Sequence, residues 1–243
     1  MTERLSLALP SKGRLMDDCL AIFSAAGYRI SKNSSARDYR GIADGHPELD
    51  VRFVSASEIA QLLRAGDVHL GVTGEDLMRE VTVDAEARIA FAAKLGFGHA
   101  SVVVAVPAFW LDVRTLADLE PMAMRFRSQH GHRLRVATKY LHLTRHYFAL
   151  AGVTSYRIVE SFGATEGAPA AGLAELIVDI TSTGATIKAN GLKVLEDGVL
   201  LSSEANLIQS KSALWTPKLE TLAATMVNAI ARVKTEKSTV PQA

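Results

Sequence analysis

Leu176-Ile177-Val178-Asp179-Ile180-Thr181-Ser182-Thr183-Gly184-Ala185-Thr186 is the stretch that decides the reading of this chain. An apolar strand ends in a carboxylate, and a loop of hydroxyls with one glycine then opens a short helix. Backbone N–H groups at a helix start are unpaired, small side chains let a phosphate reach them, and Ser or Thr hydroxyls add donors. A carboxylate at the strand end suits the vicinal hydroxyls of a ribose carried by that phosphate. The plainer alternative is a strand-to-helix turn in which Ser182 or Thr183 only caps the helix. Asp179 lies at the strand's carboxyl end, where open α/β sheets place their ligands. Glu166, in Thr165-Glu166-Gly167-Ala168-Pro169, supplies a second acid on another loop that follows a strand.

Working outward, the same strand-turn-helix grammar recurs along the chain. Leu5–Leu9 reads as a strand, and after Ser11-Lys12-Gly13 the residues Leu15, Cys19, Ile22, Phe23 and Ala26 follow helical spacing up to Gly27. Leu49–Val54, Ser57–Arg64 and Val68–Thr73 read as strand, helix and strand, which implies parallel pairing in an α/β sheet. Ser101–Pro107 is a β-branched run suited to a strand buried on both faces. A second α/β series follows: helix near Pro121–His130, strand Leu134–Ala137, helix Leu141–Leu150, strand Tyr156–Val159 and strand Leu176–Ile180. Beyond Gly191 we expect two antiparallel strands around Glu196-Asp197-Gly198, a strand at Asn206–Gln209 and a helix from about Pro217 to Lys234. Gly96-Phe97-Gly98 is the expected domain crossing.

Composition narrows the function classes. Of 243 residues, 48% are hydrophobic, and 27 Lys plus Arg stand against 26 Asp plus Glu. With a net charge of +1 there is no global field to hold a nucleic-acid backbone or an anionic membrane, so any anion site is local. The one cysteine, Cys19, closes no intrachain disulfide and builds no thiolate zinc site, which fits a reducing cytoplasm. The N-terminus has no secretory h-region, and no apolar run reaches the roughly 20 residues of a membrane span. His130 with His132, and His142 with His146, have spacings open to metal ligation but lack a third ligand motif, and no metal-binding residues are assigned. Trp110 and Trp215 read as core or domain-contact residues.

The run Glu166 to Leu192, with Gly172, Asp179, Gly184, Thr186, Asn190 and Gly191 in register, resembles the signature of the ATP phosphoribosyltransferase family. Supporting stretches are Leu9-Pro10-Ser11-Lys12-Gly13-Arg14-Leu15, Asp67 to Asp76, Arg135 to Thr144, and Asn206-Leu207-Ile208-Gln209, so the resemblance runs from about residue 5 to about residue 234. It implies an α/β fold of two domains of the type II periplasmic-binding-protein kind with the substrate site in the interdomain cleft. Domain one would be 1–98 with 188–243, and domain two 99–187 with the phosphoribosyl-binding loop. The implied reaction joins ATP to phosphoribosyl pyrophosphate with release of pyrophosphate, the step that opens histidine biosynthesis, with Mg²⁺ as cofactor.

By this resemblance Glu166, Asp179, Ser182, Thr183, Gly184, Ala185 and Thr186 bind phosphoribosyl pyrophosphate. Lys12, Arg14, Arg37, Arg40, Thr73 and Gly74 meet ATP or pyrophosphate, with Arg14 and Arg37 as catalytic residues. Arg37 and Arg40 lie in what reads as a polar loop. Two departures bear on the ATP side: Val54-Ser55-Ala56-Ser57-Glu58-Ile59 lacks an arginine and an aspartate common in the family, and Glu175 replaces a more usual aspartate. One helix and a tail follow Gln209, where the longest members carry a regulatory domain of some 70 residues. The short form is therefore expected: a cytoplasmic homo-oligomer, most simply a dimer, that associates with a regulatory subunit resembling histidyl-tRNA synthetase, with no nucleic-acid or membrane partner. Two other readings stay open, a non-catalytic small-molecule binding protein on the same scaffold and a nucleobase-salvage phosphoribosyltransferase. The salvage enzymes carry two adjacent acids before their Thr-Gly-x-Thr loop, whereas Ile180 follows Asp179.

Overall fold

Every residue from Leu5 to Pro10 is buried, as a strand covered on both faces must be, and this segment is β1. The computed structural model describes residues 3–32, 39–82 and 84–239. The chain forms two units, Met1–Gly98 with Glu204–Ala243, and His99–Ser203. In the first, β1 (Leu5–Pro10) is followed by α1 (Gly13–Ala25), β2 (Ile30–Lys32), β3 (Arg40–Ala43), β4 (Leu49–Val54), α2 (Ala56–Ala65), β5 (Leu70–Gly74), α3 (Glu75–Val81), α4 (Ala85–Arg88) and β6 (Ile89–Lys94). The second holds β7 (Ala100–Pro107), α5 (Leu119–His130), β8 (Leu134–Thr138), α6 (Leu141–Leu150), β9 (Tyr156–Glu160), β10 (Leu176–Thr181), α7 (Ala185–Ala189) and β11 (Leu192–Ser203). The chain then returns to the first unit with β12 (Ala205–Ser210) and α8 (Pro217–Thr239).

The first unit's sheet runs β2-β3-β4-β1-β5-β12-β6. β1 is parallel to β4 and β5, and β12 lies antiparallel to β5 and β6. Each face has its own apolar layer. Leu5, Leu7 and Leu9 pack with Cys19 and Phe23 of α1 and with Leu219, Met226 and Ile230 of α8. Ala8 and Val54 pack with Ile59 and Leu63 of α2 and Met78 of α3. α2 is cut to length by its ends. The Ser55 hydroxyl accepts from Glu58 N at 3.2 Å, and Gly66 turns the chain out at φ 83°, where an added Cβ would meet Ser212 O at 2.5 Å.

The second unit's sheet runs β11-β7-β10-β8-β9, with β8 parallel to β9 and β10, and β7 antiparallel to β10 and β11. Leu176, Ile177 and Val178 are buried, while Asp179, Ile180 and Thr181 emerge as β10 leaves the sheet.

Three sequence expectations change. Glu196-Asp197-Gly198 does not turn a hairpin: it is a bulge within the single strand β11, both halves of which pair with β7. The bulge is pinned by Leu116 N donating to Asp197 Oδ1 at 2.7 Å and by Glu196 N donating to Arg114 O at 2.8 Å. Because β11 pairs with β7 from Leu192 to Ser203, the return crossing falls at Ser203/Glu204 instead of 188; the outward crossing falls at Gly98/His99. Arg40 lies on strand β3, opposite Arg52 of β4, and not in a loop.

Candidate active site

The β10 turn is built from its own hydroxyls. Gly184 N donates to Thr181 Oγ1 at 2.8 Å and Ala185 N donates to Thr183 Oγ1 at 3.3 Å, closing the turn ahead of α7. Gly184 has φ 73° with nothing within 4 Å of where a Cβ would stand, so glycine is required for its backbone angle and not for space. Buried Ile187 anchors α7 in the cluster with Val103, Ala105 and Ile177. Ser182, Thr183, Ala185 and Thr186 are left exposed around the turn. Thr181, which the sequence reading gave no role, is thus the residue that shapes the loop.

Asp179 is partly buried at the strand end and accepts from Ile180 N at 2.8 Å. Burial pushes its carboxyl above the ordinary aspartate range; the Ile180 bond and the Lys139 ammonium pull it down, and the Glu166 charge pushes it up. A second acid and one lysine therefore bear on Asp179 at the carboxyl end of this sheet. Glu166 sits on the single turn Thr165–Gly167, entered through Ala164 at φ 48°, the one non-glycine residue at positive φ among the described residues. Thr165 fixes that turn by donating to Ser161 Oγ at 2.9 Å. Lys139 carries no role in the sequence reading, although it directly follows β8 at Thr138, the same end of the neighbouring parallel strand.

In the first unit Lys12 caps α1 with extended backbone and no side-chain capping bond, and Arg14 in the first turn is 94% exposed, 3.7 Å from Asp18. Both stand at the carboxyl end of β1. Lys32 joins them there: its ammonium donates to Ser11 O and lies 5.3 Å above the Phe53 ring. It was missed because Ile30–Lys32 is a three-residue strand with one buried side chain. Arg40 is exposed on β3, whereas Arg37 lies outside the described residues.

Thr73 is a correction. Its side chain is fully buried and its hydroxyl donates to Ala56 O at 2.9 Å, tying β5 to the start of α2, so it presents no donor to a ligand. Gly74 is the capping residue of α3. Gly71, in the same motif, is a packing glycine: a Cβ there would lie 2.7 Å from Ile59 Cγ2. Glu175 is also structural. It receives Arg135 N at 2.6 Å and Arg135 Nη2 at 2.5 Å, a two-point clamp that joins the entry of β10 to β8.

Among the described residues no three His, Cys, Asp or Glu side chains gather as a metal cage. The histidines pack instead: His130 and His132 lie 4.3 and 5.3 Å from the Phe126 ring, and His146 lies 5.1 Å from Tyr147. Among the described residues no helix is long and apolar enough to cross a membrane.

Known proteins share both the sequence and the fold. A model of the HisG family, described as ATP phosphoribosyltransferase, matches residues 55–232. An ATP phosphoribosyltransferase of Afipia carboxidovorans is 56% identical over 231 residues, 95% of this chain and 71% of that protein. One from Rhodopseudomonas palustris strain BisA53 is 59% identical over 216 residues, 89% of this chain and 66% of that protein. The chain thus spans about two thirds to three quarters of the length of these relatives. Among solved structures, the ATP phosphoribosyl transferase (HisG:HisZ) complex from Thermotoga maritima superposes with a TM-score of 0.73 at 24% identity, over 96% of this chain and 99% of that one. A mutant ArgBP from T. maritima has a TM-score of 0.55 at 12% identity, over 97% and 91% of the two chains. These structural likenesses identify the two-unit α/β fold as type II periplasmic-binding-protein-like. With a family match across most of its length and relatives more than half identical, the chain belongs to the ATP phosphoribosyltransferase family.

Proposed function

We propose that this chain transfers the 5-phosphoribosyl group of phosphoribosyl pyrophosphate to N1 of the adenine of ATP, releasing pyrophosphate, as the first step of histidine biosynthesis. The observation that carries this reading is the β10 turn, where exposed hydroxyls adjoin a partly buried Asp179 with Glu166 and Lys139 acting on it. The turn, from Ser182 to Thr186, receives the 5′-phosphate. Asp179 accepts from the ribose hydroxyls, with Glu166 beside it.

N1 of adenine has a free in-plane lone pair, so the reaction needs positioning and charge more than a strong base. As the anomeric C–O bond breaks, positive character grows on the sugar and negative charge on the departing pyrophosphate. Asp179 and Glu166 suit the former. Arg14, with Lys12 and Lys32 at the same strand end, suits the latter, and Arg37 and Arg40 are assigned to the same phosphates. Gly74 is kept as an ATP-side backbone contact, and Thr73 is dropped. A pair of carboxylates with no third such ligand among the described residues fits Mg²⁺ that is carried in by substrate phosphates, not one caged by protein. When bound, that ion would neutralise charge on the pyrophosphate.

The T. maritima complex contains HisG and HisZ, and we extend that partnership to this chain as a homodimer that docks a regulatory subunit related to histidyl-tRNA synthetase. Its proposed substrates, ATP and phosphoribosyl pyrophosphate, support a cytoplasmic location. Release of pyrophosphate that requires ATP and phosphoribosyl pyrophosphate together supports the reaction. Release with a free nucleobase in place of ATP would assign it to salvage instead.

A further inference from the structure

At the amino ends of β8 and β9, opposite the β10 turn, Arg133, Arg145 and Arg157 line one open cavity of about 500 Å³ in the second unit. Arg133 directly precedes β8, Arg145 lies on α6, and Arg157 lies on the edge strand β9. Among the described residues none of the three guanidiniums has a carboxylate or any other hydrogen-bond partner. Two other arginines of the second unit are paired, Arg114 with Glu196 and Arg135 with Glu175, while Arg125 and Arg127 on α5 form no ion pair among the described residues.

Three like charges around one cavity repel, and a protein gains nothing in stability by gathering them there. Glu120, which meets the cavity's Thr154, is already engaged. Glu120 receives Thr154 N at 2.6 Å, Ser155 N at 3.0 Å, and the hydroxyls of Thr154 and Ser155 at 3.0 and 2.7 Å. Its oxygens are taken by these four donors, and it forms no ion pair with any of the three arginines among the described residues. Tyr156 adds a partly buried phenol close enough to Arg145 for that cation to act on it, and buried Val153 forms the floor.

We infer that this cavity is a second anion site, separate from the proposed active site, for a phosphate-bearing small molecule of two or more negative charges. Guanidinium forks match phosphate oxygens two at a time, and three of them from three elements around one space fit a phosphate or diphosphate group better than a single carboxylate. A five-residue strand at about 3.3 Å per residue sets the cavity roughly 15 Å from the β10 turn, so one phosphate group does not occupy both.

The test is calorimetric titration of the full chain with inorganic pyrophosphate and, separately, with ribose 5-phosphate, in about 150 mM salt to suppress diffuse attraction. Three proteins are compared: wild type, R133Q/R145Q/R157Q, and Thr183→Val in the β10 turn. The expected result is a class of sites that the triple variant loses by roughly tenfold or more in affinity and that Thr183→Val keeps. It appears with either probe, and which of the two binds tighter separates free diphosphate from a sugar phosphate as the source. Because these guanidiniums hold nothing and repel one another, the triple variant melts at or above the wild-type temperature and keeps wild-type turnover. A triple variant that binds both probes with wild-type affinity and stoichiometry overturns the inference, as does a wild type with no class of sites that survives Thr183→Val. Failure of the proposed reaction reads out separately, as absent turnover in wild type.

Discussion

Asp179→Asn is the substitution whose two consequences have opposite signs. The side chain keeps its shape and can still accept from Ile180 N, now at 2.8 Å from Oδ1, but loses its charge. A hydrogen bond to a charged acceptor contributes about 1.5–3 kcal/mol, so affinity for phosphoribosyl pyrophosphate falls roughly tenfold to a hundredfold. Stability moves the other way. Burial raises the Asp179 carboxyl above its ordinary value, so the folded protein holds this proton more tightly than the unfolded chain does. Stability is therefore lost as pH climbs from the unfolded value through the raised folded one, and the full penalty is present at neutral pH. The asparagine has no such proton, so its melting temperature at pH 7 equals or exceeds wild type, and the advantage vanishes in acid below both values. Calorimetric binding and thermal melting on the same preparations read both effects. Wild-type affinity in the variant would refute the ribose contact, and a lower melting temperature at pH 7 would refute the electrostatic argument.

Glu175→Ala releases Arg135 from its clamp and costs about 1–3 kcal/mol in a urea melt, since both the β8 amide and the guanidinium lose their acceptor. Gly71→Ala drives a Cβ to 2.7 Å from Ile59 Cγ2 and costs about 1–3 kcal/mol with KM for both substrates unchanged; a selective loss of ATP binding would contradict the packing role. Thr73→Val costs about 1 kcal/mol of stability through the lost bond to Ala56 O and leaves KM for ATP as in wild type. Burial alone would raise the Glu120 carboxyl, but bonds from Ser155 and Thr154 outweigh it and hold it at about 2 against 4.5, so wild type loses stability as pH falls from 4.5 towards 2. Glu120→Gln flattens that acid limb, which pH-dependent melting measures.

The β10 turn was legible because its information is local: an apolar run, an acid where the run ends, and a glycine at the required φ. So were the long helices and the buried strands. Lys139 and Lys32 were not, since each reaches its place through strand pairing with a segment distant in sequence, which no spacing rule encodes. β2 and β3 are short and mostly exposed, and so carry little alternation to read. Thr73 and Glu175 resembled ligand groups by position, and only packing shows that Ala56 O and Arg135 already hold them. The bulge in β11 carries the same turn residues as a hairpin; pairing of both halves with one neighbour, β7, distinguishes the two.

The central claim is that the β10 turn presents a phosphoribosyl donor to ATP. Its most direct test is the ultraviolet absorbance of N1-phosphoribosyl-ATP when the purified chain is incubated with ATP, phosphoribosyl pyrophosphate and Mg²⁺. The account predicts product accumulating in step with pyrophosphate, and less of it with Thr183→Val at subsaturating donor. Phosphoribosyl pyrophosphate that binds at this turn while no product forms would contradict it and leave a binding protein on an enzyme's fold.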